Sequence, residues 1–217
     1  MEPTLQGPLT LPTAYFPPIP YLAAILQRSA LHPSAGTEGA TSSTDIRIEQ
    51  WETYQKQTLR NRCLIDSPNG PLALTIPVEH GGSRLIRDVR ISSHGGWPRR
   101  HWQALVSTYA ASPFFDFYAD DFRPIYEAPP AFLIDFNQRI LDTCLRLLGI
   151  HASLSSTSSF LGPPVVPAAE ETIPYYQVFT HQHGFLPGLS CADLLFCMGP
   201  EARLILHHLT LLSGKAQ

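Results

Sequence analysis

Apolar residues recur along this chain with two periods. Ile46 and Ile48 alternate with Arg47 and Glu49, the two-residue period of a half-buried strand, and Asp45–Glu49 is predicted as one. Leu64–Ile65 and Leu72–Val78 flank Pro68-Asn69-Gly70, a turn sequence that predicts a hairpin. Leu9–Tyr15 and Val89–Ser92 read as further short extended segments. After Gly95-Gly96 the period lengthens. Trp102, Leu105, Val106 and Tyr109 fall on one helical face, with Pro98 in the first turn. Leu133, Phe136, Ile140, Leu141, Cys144, Leu147 and Leu148 form one stripe, which predicts a helix over Phe132–Leu148 closed by Gly149. Ser190 as N-cap and Asp193 in the first turn open another helix. Gly199-Pro200 ends it, and Glu201–Leu211 follows as a last helix. A short helix, Tyr21–Gln27, comes after the rigid turn of Pro17, Pro18 and Pro20. Residues 29–44, rich in Ser, Thr, Gly and Ala, read as a mobile loop insertion, and 152–173 as an irregular loop. Strands come early and helices late. The expectation is one α/β domain over residues 9–212, a small mixed sheet with packed helices.

Composition narrows the class. At 217 residues and 44% hydrophobic content, the chain can bury a sizeable core. Only 15% of its residues are charged, and its 21 prolines favour rigid loops. No stretch reaches the roughly 18 apolar residues of a membrane span. The N-terminal residues lack a signal-peptide pattern, so the expected compartment is the cytoplasm and the four cysteines are expected as buried, reduced thiols.

The formal net charge of −3 hides a segregation. Residues 56–102 hold eight cations against three acids, while both flanks are net acidic. Thirteen of the fifteen cations are Arg, whose fork matches carboxylate and phosphate oxygens. A basic middle between acidic flanks points to an anionic small molecule, such as a nucleotide sugar or acyl donor, and away from nucleic acid. Arg84, Arg87 and Arg90 read as an ion-paired or solvated surface. No phosphate loop, dinucleotide fingerprint, nucleophile elbow or zinc-protease helix is present in the sequence. His181 and His183 could share one side of a strand, but two ligands without a third specify no metal, and the sequence leaves the cofactor unknown.

The densest chemistry is Gln55-Lys56-Gln57-Thr58-Leu59-Arg60-Asn61-Arg62-Cys63. A core strand would not choose that content, because each buried charge needs a partner. Lys56 and Arg60, four apart, would share one face of a helical turn, with Asn61 beside Arg60. Gln55, Lys56, Arg60, Asn61 and Arg62 are therefore candidate substrate-binding residues. Cys63 is a candidate nucleophile, and His101 a candidate general base. Tyr176 and Gln177 offer an aromatic face and an amide of the kind sugar sites use.

Several blocks together resemble the WbqC-like family of bacterial proteins. They are Tyr15-Phe16-Pro17-Pro18-Ile19-Pro20-Tyr21, the Tyr54–Cys63 run with Leu74-Thr75-Ile76-Pro77-Val78, and Trp97-Pro98-Arg99-Arg100-His101-Trp102 with Ser112-Pro113-Phe114-Phe115. The last are Tyr175-Tyr176-Gln177 and Phe185–Ser190, continuing to Ala202. The chain departs from the family where Pro12-Thr13-Ala14 replaces a Gln-Pro pair, and where Cys63 replaces an Asn. The resemblance adds Tyr15 to the substrate-binding candidates. It implies a transferase of surface-polysaccharide (O-antigen-like) biosynthesis, with aminoacylation of an amino sugar as the suggested reaction, or else a non-catalytic binding or accessory protein of that pathway.

Overall fold

The computed structural model describes residues 7–31, 46–81, 83–168 and 172–213. Most of the predicted 29–44 loop lies outside these residues. The two strand-forming ends of the N-terminal half meet in parallel: β1 (Leu9–Pro12) pairs with β2 (Ile46–Glu49), Leu9 opposite Ile46. The crossover between them carries α1 (Ile19–Leu31), as a parallel pair requires. This helix runs four residues beyond Gln27 and starts two before Tyr21.

The hairpin forms as the turn sequence predicts. β3 (Arg62–Ile65) and β4 (Leu72–Thr75) pair antiparallel, with Cys63 opposite Leu74. Gly70 closes the turn at φ +95°, donating its N–H to the Ser67 carbonyl at 3.0 Å. Val89–Ser92 forms no strand. Arg90 and Ile91 make single bridges, to Phe132 and Val78.

The helical half begins with α2 (Trp97–Tyr109), α3 (Phe115–Glu127) and α4 (Leu133–Leu147), with α3 packed on both of its neighbours. The predicted stripe of α4 is its buried face, save a half-buried Leu147. Beyond its C-terminus the Gly149 N–H bonds the Arg146 carbonyl and the Ile150 N–H bonds Leu145, with Gly149 at φ +62°. The 152–173 stretch contributes β5 (Leu154–Ser156), which adds in parallel to β2, so the sheet order is β1-β2-β5. The fold is α/β, as expected, with strands mostly N-terminal and helices mostly C-terminal. The strands divide between this parallel sheet and the antiparallel hairpin.

A one-turn helix, α5 (Thr180–His183), stands where the spacing of His181 and His183 allows a strand. The core closes around α6 (Cys191–Met198), buried at every position except the half-buried Met198, which touches α1, α2, α3 and α7 (Ala202–Ser213). No helix among the described residues is long and apolar enough to cross a membrane.

Candidate functional site

The Gln55–Cys63 run does not lie on one helical face. It is a sequence of turns in which the Thr58 carbonyl accepts the N–H groups of Asn61 and Arg62, at 3.1 and 3.0 Å. Lys56 is exposed while Arg60 is buried, so the two cations part instead of sharing a surface. Arg60 donates from Nε and Nη2 to the two carboxylate oxygens of Glu52, which is also buried, and from Nη1 to Thr58 Oγ1 at 3.3 Å. Its donors and charge are thus matched inside the protein. Asn61 is buried too, donating its side-chain amide to the Ile76 carbonyl at 3.1 Å.

Arg62 is exposed on a cavity of about 280 Å³. Its walls also include Phe16, Gln57, Cys63, Leu64 and Ser190. Three segments far apart in sequence meet there: the Tyr15–Pro18 turn, the 57–64 run and the start of α6. They are tied by backbone bonds from Tyr15 N–H to Leu59, Ser190 N–H to Leu64 and Cys191 N–H to Pro17. Phe16 and Gln57 take positive φ angles, +39° and +57°. They are the only non-glycine residues among those described to do so, and both line this cavity. Such backbone costs of order 1–3 kcal/mol per residue and persists where surrounding structure imposes it.

Behind the cavity runs a buried polar chain. The Tyr15 hydroxyl lies 3.0 Å from His101 Nδ1 and 2.8 Å from the Tyr126 hydroxyl. The Cys63 thiol lies beside the Tyr15 and Ser190 hydroxyls, which pull its pKa down, yet burial dominates and pushes it well up, so the thiol is protonated. His101 sits against Tyr15 and Trp97. Burial first, and then the Arg100 charge, lower its pKa to about 4, against a backbone hydrogen bond to Thr75. Its imidazole is neutral at pH 7.

A second network fastens the 175–189 segment. Asp193, expected as a first-turn cap residue, accepts instead from the hydroxyls of Tyr109 (2.9 Å) and Tyr175 (2.7 Å) and from Gln177 Nε2 (3.1 Å). Gln177 is fully buried and also clasps Leu186, at 2.9 Å through Nε2 and 2.8 Å through Oε1. Tyr176, its neighbour, is exposed. His183 places Nε2 3.0 Å from Asp66 Oδ1 and 3.2 Å from the Ser67 carbonyl, and Nδ1 3.0 Å from the Gly184 carbonyl. Every neighbour is an acceptor, so a protonated ring fits. Desolvation opposes that charge, but these bonds raise the pKa. Burial raises the Asp193 pKa to about 6, with the Tyr175 and Tyr109 hydroxyls working the other way.

These shifts oppose each other in acid. His101 binds no proton in the folded state until about pH 4, so its contribution to stability is full above pH 6.5 and falls as pH drops toward 4. Asp193 holds its proton more tightly when folded, so its contribution is full below about pH 4 and is lost as pH rises through 6. Urea unfolding should therefore show His101→Gln losing less stability than the parent protein between pH 7 and pH 4.5. The difference should be on the order of 2 kcal/mol, since moving a pKa by one pH unit is worth about 1.36 kcal/mol. Parallel curves would mean that His101 titrates alike in the folded and the unfolded chain.

A family model described as the WbqC-like protein family matches residues 43–164, more than half of the chain. The chain belongs to the WbqC-like protein family. A 107-residue stretch is 34% identical to "Uncharacterized protein Rv1507c" of Mycobacterium tuberculosis, covering 48% of this chain and 46% of that protein. The chain thus spans less than half the length of this curated relative. No solved structure matches.

The WbqC-like match takes in Gln55–Cys63 and His101, while Tyr15 and Tyr176-Gln177 lie outside it. Tyr15 and His101 belong to one buried chain, and Cys63 lies beside Tyr15 on the cavity wall. Arg62 faces the same cavity. Lys56 lines a separate groove. Gln55 is exposed and lines neither. Sequence reasoning passes over Phe16 and Gln57, whose backbone conformation has no signature in a non-glycine residue. It marks Ser190 only as a cap. Ser190 does occupy the N-cap position of α6, but its hydroxyl makes no capping bond. Among the described residues, no three His, Cys, Asp or Glu side chains are grouped to hold a metal.

Proposed function

We propose that this WbqC-like chain is a transferase of bacterial surface-polysaccharide assembly, moving an aminoacyl group to an amino sugar at the cavity beside Arg62. The observation that carries this reading is the convergence of both left-handed non-glycine residues, Phe16 and Gln57, on a cavity that also holds Arg62, Cys63 and Ser190. Strain of this kind concentrates where a fold holds side chains for a ligand. In the reaction the sugar nitrogen attacks the acyl carbonyl, a C–N bond forms, and the bond to the leaving group breaks. The proton released from nitrogen needs an acceptor. Arg62 matches the anionic part of the donor, and the Tyr15 hydroxyl, beside the Cys63 wall, is bonded to the His101 base.

A second reading, a non-catalytic binding protein of the same pathway, is favoured by one specific feature. A protonated Cys63 and an imidazole with a pKa near 4 make a weak nucleophile and a weak base at neutral pH.

A thermal-shift panel of nucleotide sugars, ATP with glycine, coenzyme A esters and free sugars tests both. A ligand at about 100 times its dissociation constant adds roughly 2.7 kcal/mol, or about 5–10 °C for a chain of this size. Arg62→Ala should abolish the shift. With the ligand identified, transferase chemistry requires His101→Gln to lower turnover by about 10² or more. Ligand binding without any turnover would leave the second reading. A shift unaffected by Arg62→Ala would remove the cavity from both.

A further inference from the structure

On the other side of the 56–59 turn lies a groove of about 480 Å³, within the range of small-molecule sites. One wall is built by Thr53, Tyr54 and Lys56 and continues through Ser83 and Arg84, the two parts joined by a 2.7 Å bond from Tyr54 N–H to the Arg84 carbonyl and by the Thr53–Leu85 bridge. The facing wall runs through Val78 and Glu79 beside Val89 and Arg90, joined by a 3.0 Å bond from Glu79 N–H to the Arg90 carbonyl.

Charge divides unevenly within it. Glu79 is met by Arg90 at 3.6 Å, and Asp88 by Arg87 at 3.5 Å and by the Ser83 hydroxyl at 3.3 Å. Arg87 and Arg90 are further engaged over the rings of Trp51 and Phe132. Those two arginines form the ion-paired surface expected from sequence. Lys56 and Arg84 do not: among the described residues neither has a carboxylate within salt-bridge distance, and both line the groove.

We propose that this groove is a second ligand site, which takes a dianionic phosphoryl group between Lys56 and Arg84. Two unmatched cations balance a phosphate monoester dianion. The ammonium supplies a point charge, and the guanidinium fork supplies paired donors to two phosphoryl oxygens. The remaining volume, lined by the Thr53 and Ser83 hydroxyls and His80, accommodates a polar body attached to the phosphate. This inference does not depend on the cavity beside Arg62.

The experiment is a titration of the full chain with inorganic phosphate and with pyrophosphate, followed by thermal shift and calorimetry, with chloride at equal ionic strength as control. Saturable binding that raises Tm by several degrees is expected. The double variant Lys56→Gln/Arg84→Gln, on two exposed side chains and so expected to fold normally, should weaken it at least about tenfold. Arg139→Gln, at an exposed cation that lines neither cavity, should leave it unchanged, which separates a built site from general attraction to positive charge. The inference is overturned if no saturable shift appears, if chloride reproduces it, or if the double variant binds within about twofold of the parent protein.

Discussion

Replacing Glu52 with alanine is expected to destabilise the fold by about 3–5 kcal/mol, the range for breaking a buried ion pair from one side. Arg60 retains only 4% of its exposure, and two of its three side-chain hydrogen bonds go to Glu52. With that carboxylate removed, the guanidinium keeps its charge at any accessible pH and has only Thr58 Oγ1 to receive a bond. It cannot swing out cheaply, because its backbone is held. The Arg60 carbonyl accepts from Asn137 Nδ2 at 2.7 Å, which ties the turn to α4. A typical domain has only about 5–15 kcal/mol in hand, so the variant should show a large fall in urea midpoint. The double change Glu52→Leu/Arg60→Met removes both charges and should cost clearly less than the single change. A loss below about 1 kcal/mol for Glu52→Ala would mean that Arg60 reaches water in solution.

Gly199→Ala should cost about 2–5 kcal/mol through two mechanisms that act together. Gly199 ends α6 at φ +52°, ψ −127°, a region open in practice only to glycine. A Cβ there would also lie 2.6 Å from Cε1 of Phe114 and closer still to adjoining ring atoms. The ring has little freedom to retreat, since it stacks on Tyr118 and the Phe114 backbone N–H is bonded to the Phe196 carbonyl. Adding Phe114→Leu should recover the steric part while leaving the backbone part. Thermal unfolding of the single and double variants separates the two. Equal losses in both would assign the whole effect to the backbone.

Sequence made the local elements legible wherever their cause was local. The seven-residue apolar stripe of α4, the Pro68-Asn69-Gly70 turn and the Ile46/Ile48 alternation each specify their element through neighbours in the chain. The strand Leu154–Ser156 was not legible, because it is short, its two serines are exposed, and its pairing with β2 makes it a strand. The candidate site divides in the same way. Gln55–Cys63 advertised its chemistry through composition, but composition could not say which cation had a partner. Glu52 answers Arg60 only because the turn brings it there, whereas Lys56 and Arg62 face separate cavities. Likewise Ser190 and Asp193 carry the sequence marks of helix capping, and tertiary contacts with Tyr109, Tyr175 and Gln177 claim Asp193 first. The family blocks were readable as motifs, but their convergence at the start of α6 is a property of the folded chain.

The sheet order β1-β2-β5 also bears on how the chain is made. The middle strand receives its second neighbour from far downstream: Glu49 and its partner Thr157 are separated by 108 positions. At ribosomal speeds of about 5–20 residues per second, β2 waits roughly 5–20 s for β5 to be synthesised. Throughout that interval one side of β2 carries unpaired backbone groups, a ready template for another nascent chain. The late closure of this sheet makes the yield of folded protein sensitive to translation rate and chaperone cover as well as to final stability.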